Sequence, residues 1–161
     1  MINMIVQKAI EYDKGDARRI NHFMKVYAYA KLIGELEGLN KNQQQILEIA
    51  AVLHDIGIHE SERKYNSSAG SYQQIEGPPI AENILNSLNV PQEITKRVCY
   101  LISHHHTYTD ITEADYQILV EADFIVNIYE DDLSRKQIES IKGKIFRTES
   151  GTEILCNTFN L

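Results

Sequence analysis

The stretch AAVLHDIGIHE, residues 50–60, runs apolar for four residues and then sets a histidine beside an aspartate where a helix should stop. Ile46, Ile49, Ala50 and Leu53 recur at helical spacing, so the segment reads as an apolar helix closed near Gly57. Placing His54 and Asp55 at its end costs desolvation unless partners offset it. Either the pair is a charged surface turn, or the helix stops there to present both side chains to a ligand.

The rest of the chain carries the same helical signal. Ile20, Phe23, Met24, Tyr27 and Ala30 form a second stripe, and strand signals are nearly absent. The expected fold class is all-α: one helical bundle of about six to eight helices over residues 1–161. Its motif-bearing part covers about residues 16–130, and a helical extension covers about residues 131–161. A short N-terminal helix precedes a long one over about residues 16–36. A third spans about residues 41–56, with Asn40 capping its start and Gly57 its end. Pro78 and Pro79 suit the first turn of a fourth helix, which runs toward Leu88 before NVP breaks it. A fifth covers about residues 92–106; Thr112 with Asp115 resembles a capping box opening a sixth, and Ser134 with Gln137 opens a seventh. Residues 57–77, GIHESERKYNSSAGSYQQIEG, show no clear helical period. Irregular connections of that length are uncommon unless functional or disordered, and this one begins directly after His54 and Asp55, which favours a binding loop.

Composition narrows the classes. A chain of 161 residues that is 43% hydrophobic suits one domain with a real core. Lys and Arg total 16 against 23 Asp and Glu, a net charge of -7 that repels a nucleic-acid backbone, so polymeric DNA or RNA is not an expected partner. Cys99 and Cys156 lie far apart in apolar surroundings and read as small core residues in a reducing compartment. Lys8, Glu11 and Asp13 fall where a signal sequence would need its apolar core, and no run approaches ~20 apolar residues. A soluble cytoplasmic protein with no membrane partner is expected.

The six histidines are unevenly placed: His22, His54, His59 and the run His104, His105, His106. Any one alone reads more readily as a satisfied core or surface residue than as a ligand. The apolar settings change that reading, since His22 is helically spaced with Val26 and Ile33, and Asp123 lies inside LVEADFIV. Polar groups in such places need partners, and one metal ion would serve them all.

In order, RRINHFMKVYAYA, AAVLHDIG, EGPPIAENIL, YLISHHHTY and LVEADFI resemble the HD-domain superfamily of metal-dependent phosphohydrolases, over about residues 16–130. The resemblance implies that His22, His54, Asp55 and Asp123 bind one divalent cation. Two imidazoles and two carboxylates suit Mn, Fe, Co, Ni or Zn, with Mg a further candidate, and the lack of thiolates argues against a structural zinc. Such an ion lowers the pKa of bound water and polarises a phosphoryl oxygen. Asp55 and Glu76 are the catalytic candidates.

Members of the superfamily that hold two metals commonly place a histidine before the glycine aligned with that of IEGPPIA; here that residue is Glu76. Glu76 is a ligand for a second cation, a general base for water, or a carboxylate favouring a helix N-terminus. From the triple run, His105 is the first candidate as a second-metal or substrate ligand, with His104 and His106 after it, because successive helical residues cannot all face one pocket. Arg18, Arg19, Arg63 and Lys64 adjoin the motifs in an otherwise acidic chain. Arg19, Arg63 and Lys64 are the candidates for binding substrate phosphate, the last two as a lid or clamp in the irregular loop. His59 and Glu60 stand behind the ligands or on the surface, and their assignment stays open.

The expected function is a metal-dependent phosphohydrolase acting on a small phosphorylated compound, with a nucleotide favoured, at a phosphomonoester or pyrophosphate bond. It uses one tightly held ion, with room for a second. Two alternatives stay open: a di-iron oxygenase of the same superfamily, and a module that keeps its metal and senses a nucleotide without turnover. After Asp131 no motif appears; QIESIKGKIFRTESGTEIL packs back on the bundle or forms a subunit contact.

Overall fold

The stripe Ile46, Ile49, Ala50 and Leu53 becomes the buried face of α3 (Lys41–Leu53), and in its second half Ala51 and Val52 are buried too, so the helix is enclosed on every side. That is the pattern of a central helix rather than a surface one. Around it, in a computed structural model describing residues 1–161, lie α1 (Ile2–Tyr12), α2 (Ala17–Leu36), α4 (Ile58–Tyr65), α5 (Gly70–Ser87), α6 (Gln92–His104), α7 (Ala114–Glu130), α8 (Arg135–Ile145) and α9 (Glu149–Phe159). The fold is all-α, with no strand. Helices α1, α2, α6 and α7 pack against α3, and one hydrophobic cluster of 32 buried residues joins them. Leu47 and Leu53 are fully buried in it, each worth about 1.5–3 kcal/mol of transfer free energy.

Several starts follow the expected chemistry. Asn40 Oδ1 accepts from the backbone N–H groups of Asn42 and Gln43 while Gln43 Oε1 accepts from Asn40 N–H, a complete capping box. Ser134 and Gln137 form another at α8. The Asp16 side chain accepts from Arg19 N–H and opens α2.

Other expectations are corrected. Helix α3 stops at Leu53, with His54 as its C-cap and a turn through Gly57, so Gly57 precedes α4 instead of closing α3. Residues 57–77 are mostly helical, which raises the helix number to nine. The short α4 buries Ile58 and Ser61 at i, i+3 spacing, ties Ser61 Oγ to Gly57 O at 2.8 Å, and ends at Asn66 in the left-handed region. Pro78 and Pro79 lie inside α5, not in its first turn. Gln73, Gly77, Ala81 and Leu85 are buried four residues apart along α5, a stripe running straight through both prolines. Packing of that stripe on α6 sustains the helix where the prolines remove two backbone donors. Helix α7 begins after Glu113, one residue past the expected Thr112 cap. Asp115 is held bidentately by Arg97 at 2.7 and 2.9 Å and takes no part in a box.

The C-terminal segment packs back on the bundle. Glu121 on α7 is fully buried and accepts from the backbone N–H groups of Arg147 and Thr148 at 2.7 and 3.0 Å, from Gln117 Nε2 at 2.7 Å, and from the Thr148 hydroxyl. A buried carboxylate with four donors is satisfied without a counter-ion and fixes the turn between α8 and α9.

Candidate metal centre

Two glycines let the central turn approach α5. A Cβ on Gly57 would stand 2.5 Å from Gly77 N and 2.9 Å from Gln73 O, both backbone atoms that cannot move aside. Only glycine permits this crossing, which sets the His54 and Asp55 turn against the buried stripe of α5.

On that turn and its neighbours, His22 from α2, His54 at the end of α3 and Asp123 from α7 converge. Nε2 of His22 is 3.2 Å from Nε2 of His54 and 3.3 Å from Asp123 Oδ1, and His54 Nε2 is 3.6 Å from the same oxygen. All three side chains are buried. Asp55 adjoins them, with Oδ2 3.4 Å from His22 Nε2 and 3.5 Å from His54 Nε2. A second group of donors comprises Asp55, His105 and His106. Asp55 turns Oδ1 toward this side, 3.4 Å from His105 Nε2. One carboxylate thus faces both groups, one oxygen to each.

The imidazoles are oriented from behind. His54 Nδ1 is 2.8 Å from Ala51 O, and His105 Nδ1 is 2.7 Å from Ile102 O. A carbonyl oxygen only accepts, so Nδ1 carries the hydrogen and donates it, and Nε2 is left to face the site. His22 Nδ1 meets Glu130 Oε2 at 2.9 Å, and Glu130 also pairs with Lys25 at 2.7 Å. Asn127 Nδ2 donates to Asp123 Oδ1 at 2.8 Å.

Imidazoles and carboxylates shift one another within the cluster. Burial alone would pull the His54 pKa down, but the Asp55 and Asp123 carboxylates outweigh it and push the imidazole up to about 9. His22 is likewise raised, against its burial, by Asp123 and Asp55. Asp123 and Asp55 are held well below the usual carboxylate range by the histidines, although burial opposes this. Burial pulls His106 down to about 4, with the neighbouring His105 adding to it, so its ring stays neutral. The donors fit a divalent cation. Nε2 of His105 is buried and has no hydrogen-bond partner, and the imidazole and carboxylate donors match borderline first-row ions.

Of the residues expected from sequence, His22, His54, Asp55, Asp123 and His105 come together. His104 does not: its ring stacks on Tyr100 at 4.1 Å, with Nδ1 2.8 Å from Tyr100 O. Helical rotation turns it to the opposite face, and the third histidine of the run, His106, joins the second group instead. Glu76 belongs to neither group. Its oxygens meet Lys64 Nζ at 2.7 Å and the Tyr65 hydroxyl at 2.8 Å, and these two donors hold its carboxyl below the usual range. Nor does it sit at a helix N-terminus, since α5 begins at Gly70. It shares the α5 face of Gln73, three residues earlier, whose Oε1 is 3.1 Å from His106 Nε2.

Arg63 is forked onto Glu60 at 2.6 and 2.8 Å and exposed, while Arg19 reaches Glu62 at 3.4 Å. Arg18 lines an open cleft of about 530 Å³ with Asn21, Lys25 and Glu130. Lys64 is the basic candidate carried to the α5 face beside the second group. The sequence reading missed Glu130 and Tyr108. Glu130 lies seven residues after Asp123 on α7, a spacing that marks one helix face. Burial, with the Asp123 and Asp55 charges, pushes the Tyr108 hydroxyl up to about 12, and its ring packs edge-on against Phe124.

Residues 19–145 match the HD domain family. The chain belongs to that family. A solved structure, a predicted HD superfamily hydrolase from an uncultured Thermotogales bacterium, is 24% identical and superposes with a TM-score of 0.67, covering 99% of this chain and 83% of the other. It shares the fold. No curated protein matches the chain. No helix is long and apolar enough to cross a membrane.

Proposed function

We propose that this HD-domain chain is a metal-dependent phosphohydrolase of small phosphorylated compounds, with nucleotides favoured as substrates. The observation that carries the reading is Asp55, which turns one oxygen toward His22 and His54 and the other toward His105. His22, His54, Asp55 and Asp123 would hold one cation, and Asp55, His105 and His106 a second. Bound there, a divalent ion activates water at neutral pH and polarises a phosphoryl oxygen.

The chain's own groups do the rest. Ala51, Ile102 and Glu130 fix the imidazole faces, so the donor atoms are arranged before any ligand arrives. Lys64 supplies positive charge for an anionic substrate, and a phosphate that takes up Lys64 frees Glu76 Oε2 to accept a proton from water. Glu76 therefore acts as a base or as the group that positions Lys64, and the Tyr65 hydroxyl anchors its other oxygen. The net charge of -7 disfavours a polymeric anion, which supports a small substrate.

A screen of phosphate release from nucleoside mono-, di- and triphosphates and sugar phosphates, with Mn²⁺, Zn²⁺, Co²⁺, Ni²⁺, Fe²⁺ and Mg²⁺ in turn, tests the reading. Hydrolysis of at least one small phosphorylated compound, abolished by chelation, is expected. Nuclease activity on polymeric DNA or RNA exceeding all of these would overturn the small-substrate assignment.

A further inference from the structure

The turn after α6 carries two adjacent histidines into the second group of donors, and the first half of α5 holds the later one by both backbone and ring. The half-buried ring of His106 packs on the start of that helix, where a Cβ on Gly70 would stand 2.7 Å from its Cγ and Cδ2. Its backbone N–H donates to Gln74 Oε1 at 3.2 Å, and the Thr107 hydroxyl donates to the same oxygen at 3.3 Å. Its Nε2 lies 3.1 Å from Gln73 Oε1.

The direction of that last bond is set by Gln73. Its buried amide donates from Nε2 to Ser68 O at 2.6 Å. A backbone carbonyl only accepts, so the NH₂ end of the amide faces Ser68 and its oxygen faces His106. That oxygen has no hydrogen to give, so His106 Nε2 is the donor. An imidazole that binds a cation is neutral and keeps one ring N–H. With the hydrogen on Nε2, the lone pair of His106 is on Nδ1. His105 is the reverse case: its Nδ1 donates to Ile102 O at 2.7 Å, and its buried Nε2 has no hydrogen-bond partner.

Opposite tautomers suit consecutive residues. Adjacent side chains leave the backbone in different directions, and the two rings lie 3.9 Å apart at 43°. Nδ1 sits close to the main chain and Nε2 at the far edge of the ring, so the two histidines reach out by different lengths. One donor atom from each of Asp55, His105 and His106 lies within 4.8 Å of the other two.

We propose, taking the second cation of the proposed function as given, that Gln73 is its positioning residue: by accepting the Nε2–H of His106 it makes Nδ1 the donor, to be used with Nε2 of His105 and Asp55. Two imidazoles and one shared carboxylate favour a borderline first-row ion such as Zn²⁺ over Mg²⁺, which prefers oxygen ligands. Gln73 acts only through the ring of His106.

The test uses zinc and no substrate. Zinc binding is titrated for metal-free wild type and Gln73→Leu, and NMR of the ¹⁵N-labelled, zinc-loaded protein reads which ring nitrogen of each histidine carries hydrogen. The signal lost in His106→Asn identifies that ring. Wild type is expected to take two zinc ions, with hydrogen on Nε2 of His106 and on Nδ1 of His105. Gln73→Leu should keep the first zinc and bind the second about 10- to 100-fold more weakly. Hydrogen on Nδ1 of His106, or an unchanged second affinity in Gln73→Leu, overturns the proposal. Uptake of a single zinc by wild type also overturns it and leaves a one-cation phosphohydrolase standing. Two zinc ions with the expected ring pattern, in a protein that releases no phosphate from any compound screened, would sink the hydrolase and uphold the role of Gln73. If Gln73→Leu fails to fold, the ring pattern of wild type decides alone.

Discussion

Asp55 Oδ1 stands 3.4 Å from Nε2 of His105, a buried imidazole nitrogen with no hydrogen-bond partner, while the other oxygen of Asp55 faces His22 and His54. A carboxylate so placed couples two groups of donors. The second group keeps two imidazoles, from His105 and His106, and Glu76 stands outside it. Room for a second cation therefore does not depend on Glu76.

Glu130→Gln should weaken cation binding about 10- to 100-fold while leaving every direct donor in place, because Glu130 orients His22 from behind at 2.9 Å. Titration calorimetry with Mn²⁺ or Zn²⁺ on the metal-free variant measures it. An unchanged affinity would mean that His22 is held by its packing alone.

Glu76→Gln should keep the cations but cut turnover about 10²-fold or more if Glu76 accepts the proton from water. Lys64→Ala should raise KM for the substrate more than it raises the metal Kd, since Lys64 meets Glu76 and not the metal donors. If Lys64→Ala instead strips the metal, α4 supports the centre itself and the phosphate role is lost. Unchanged turnover in Glu76→Gln would leave that residue only the positioning of Lys64.

The raised pKa of His54, from 6.5 to about 9, carries a signed consequence. In metal-free protein the folded chain favours the protonated imidazole more than the unfolded chain does. The resulting stabilisation is fully present below about pH 6.5 and is lost as pH rises to about 9. A bound cation displaces the same proton, so affinity for it should rise across that window with proton release. The Tm of chelated protein should fall over this range faster than that of protein saturated with Mn²⁺. Parallel curves would show that His54 does not exchange its proton for the ion.

Gly57→Ala should destabilise the fold by at least about 1–3 kcal/mol, because its Cβ would stand 2.5 Å from the backbone nitrogen of Gly77. The midpoint of urea unfolding reads this directly. A midpoint equal to wild type would contradict the close crossing of the two segments.

Much of the fold was legible because apolar stripes at helical spacing survive burial: α2, α3 and α6 begin and end close to where Phe23, Ile46 and their companions put them. The region from residue 57 to 77 was not. Its α4 is eight residues long and buries only Ile58 and Ser61, too few for a period to show, and the two prolines masked a stripe that continues through them. At the site, ligand types and motif order brought His22, His54, Asp55 and Asp123 to one place. Which of three consecutive histidines would face it depended on where α6 ends, and that helix stops at His104. His59 was left open because its partners, Asp13 and Asp16, come from a different corner of the chain and meet it only through tertiary packing.

Phosphate release by wild type and Asp55→Asn, each chelated and then reloaded with Mn²⁺, tests the central claim most directly. Cation-dependent hydrolysis of a small phosphorylated compound by wild type is expected, falling to background in Asp55→Asn because both donor groups lose their shared carboxylate. Release that persists undiminished in Asp55→Asn, or no release alongside substrate-dependent oxygen uptake by iron-loaded wild type, would contradict the account.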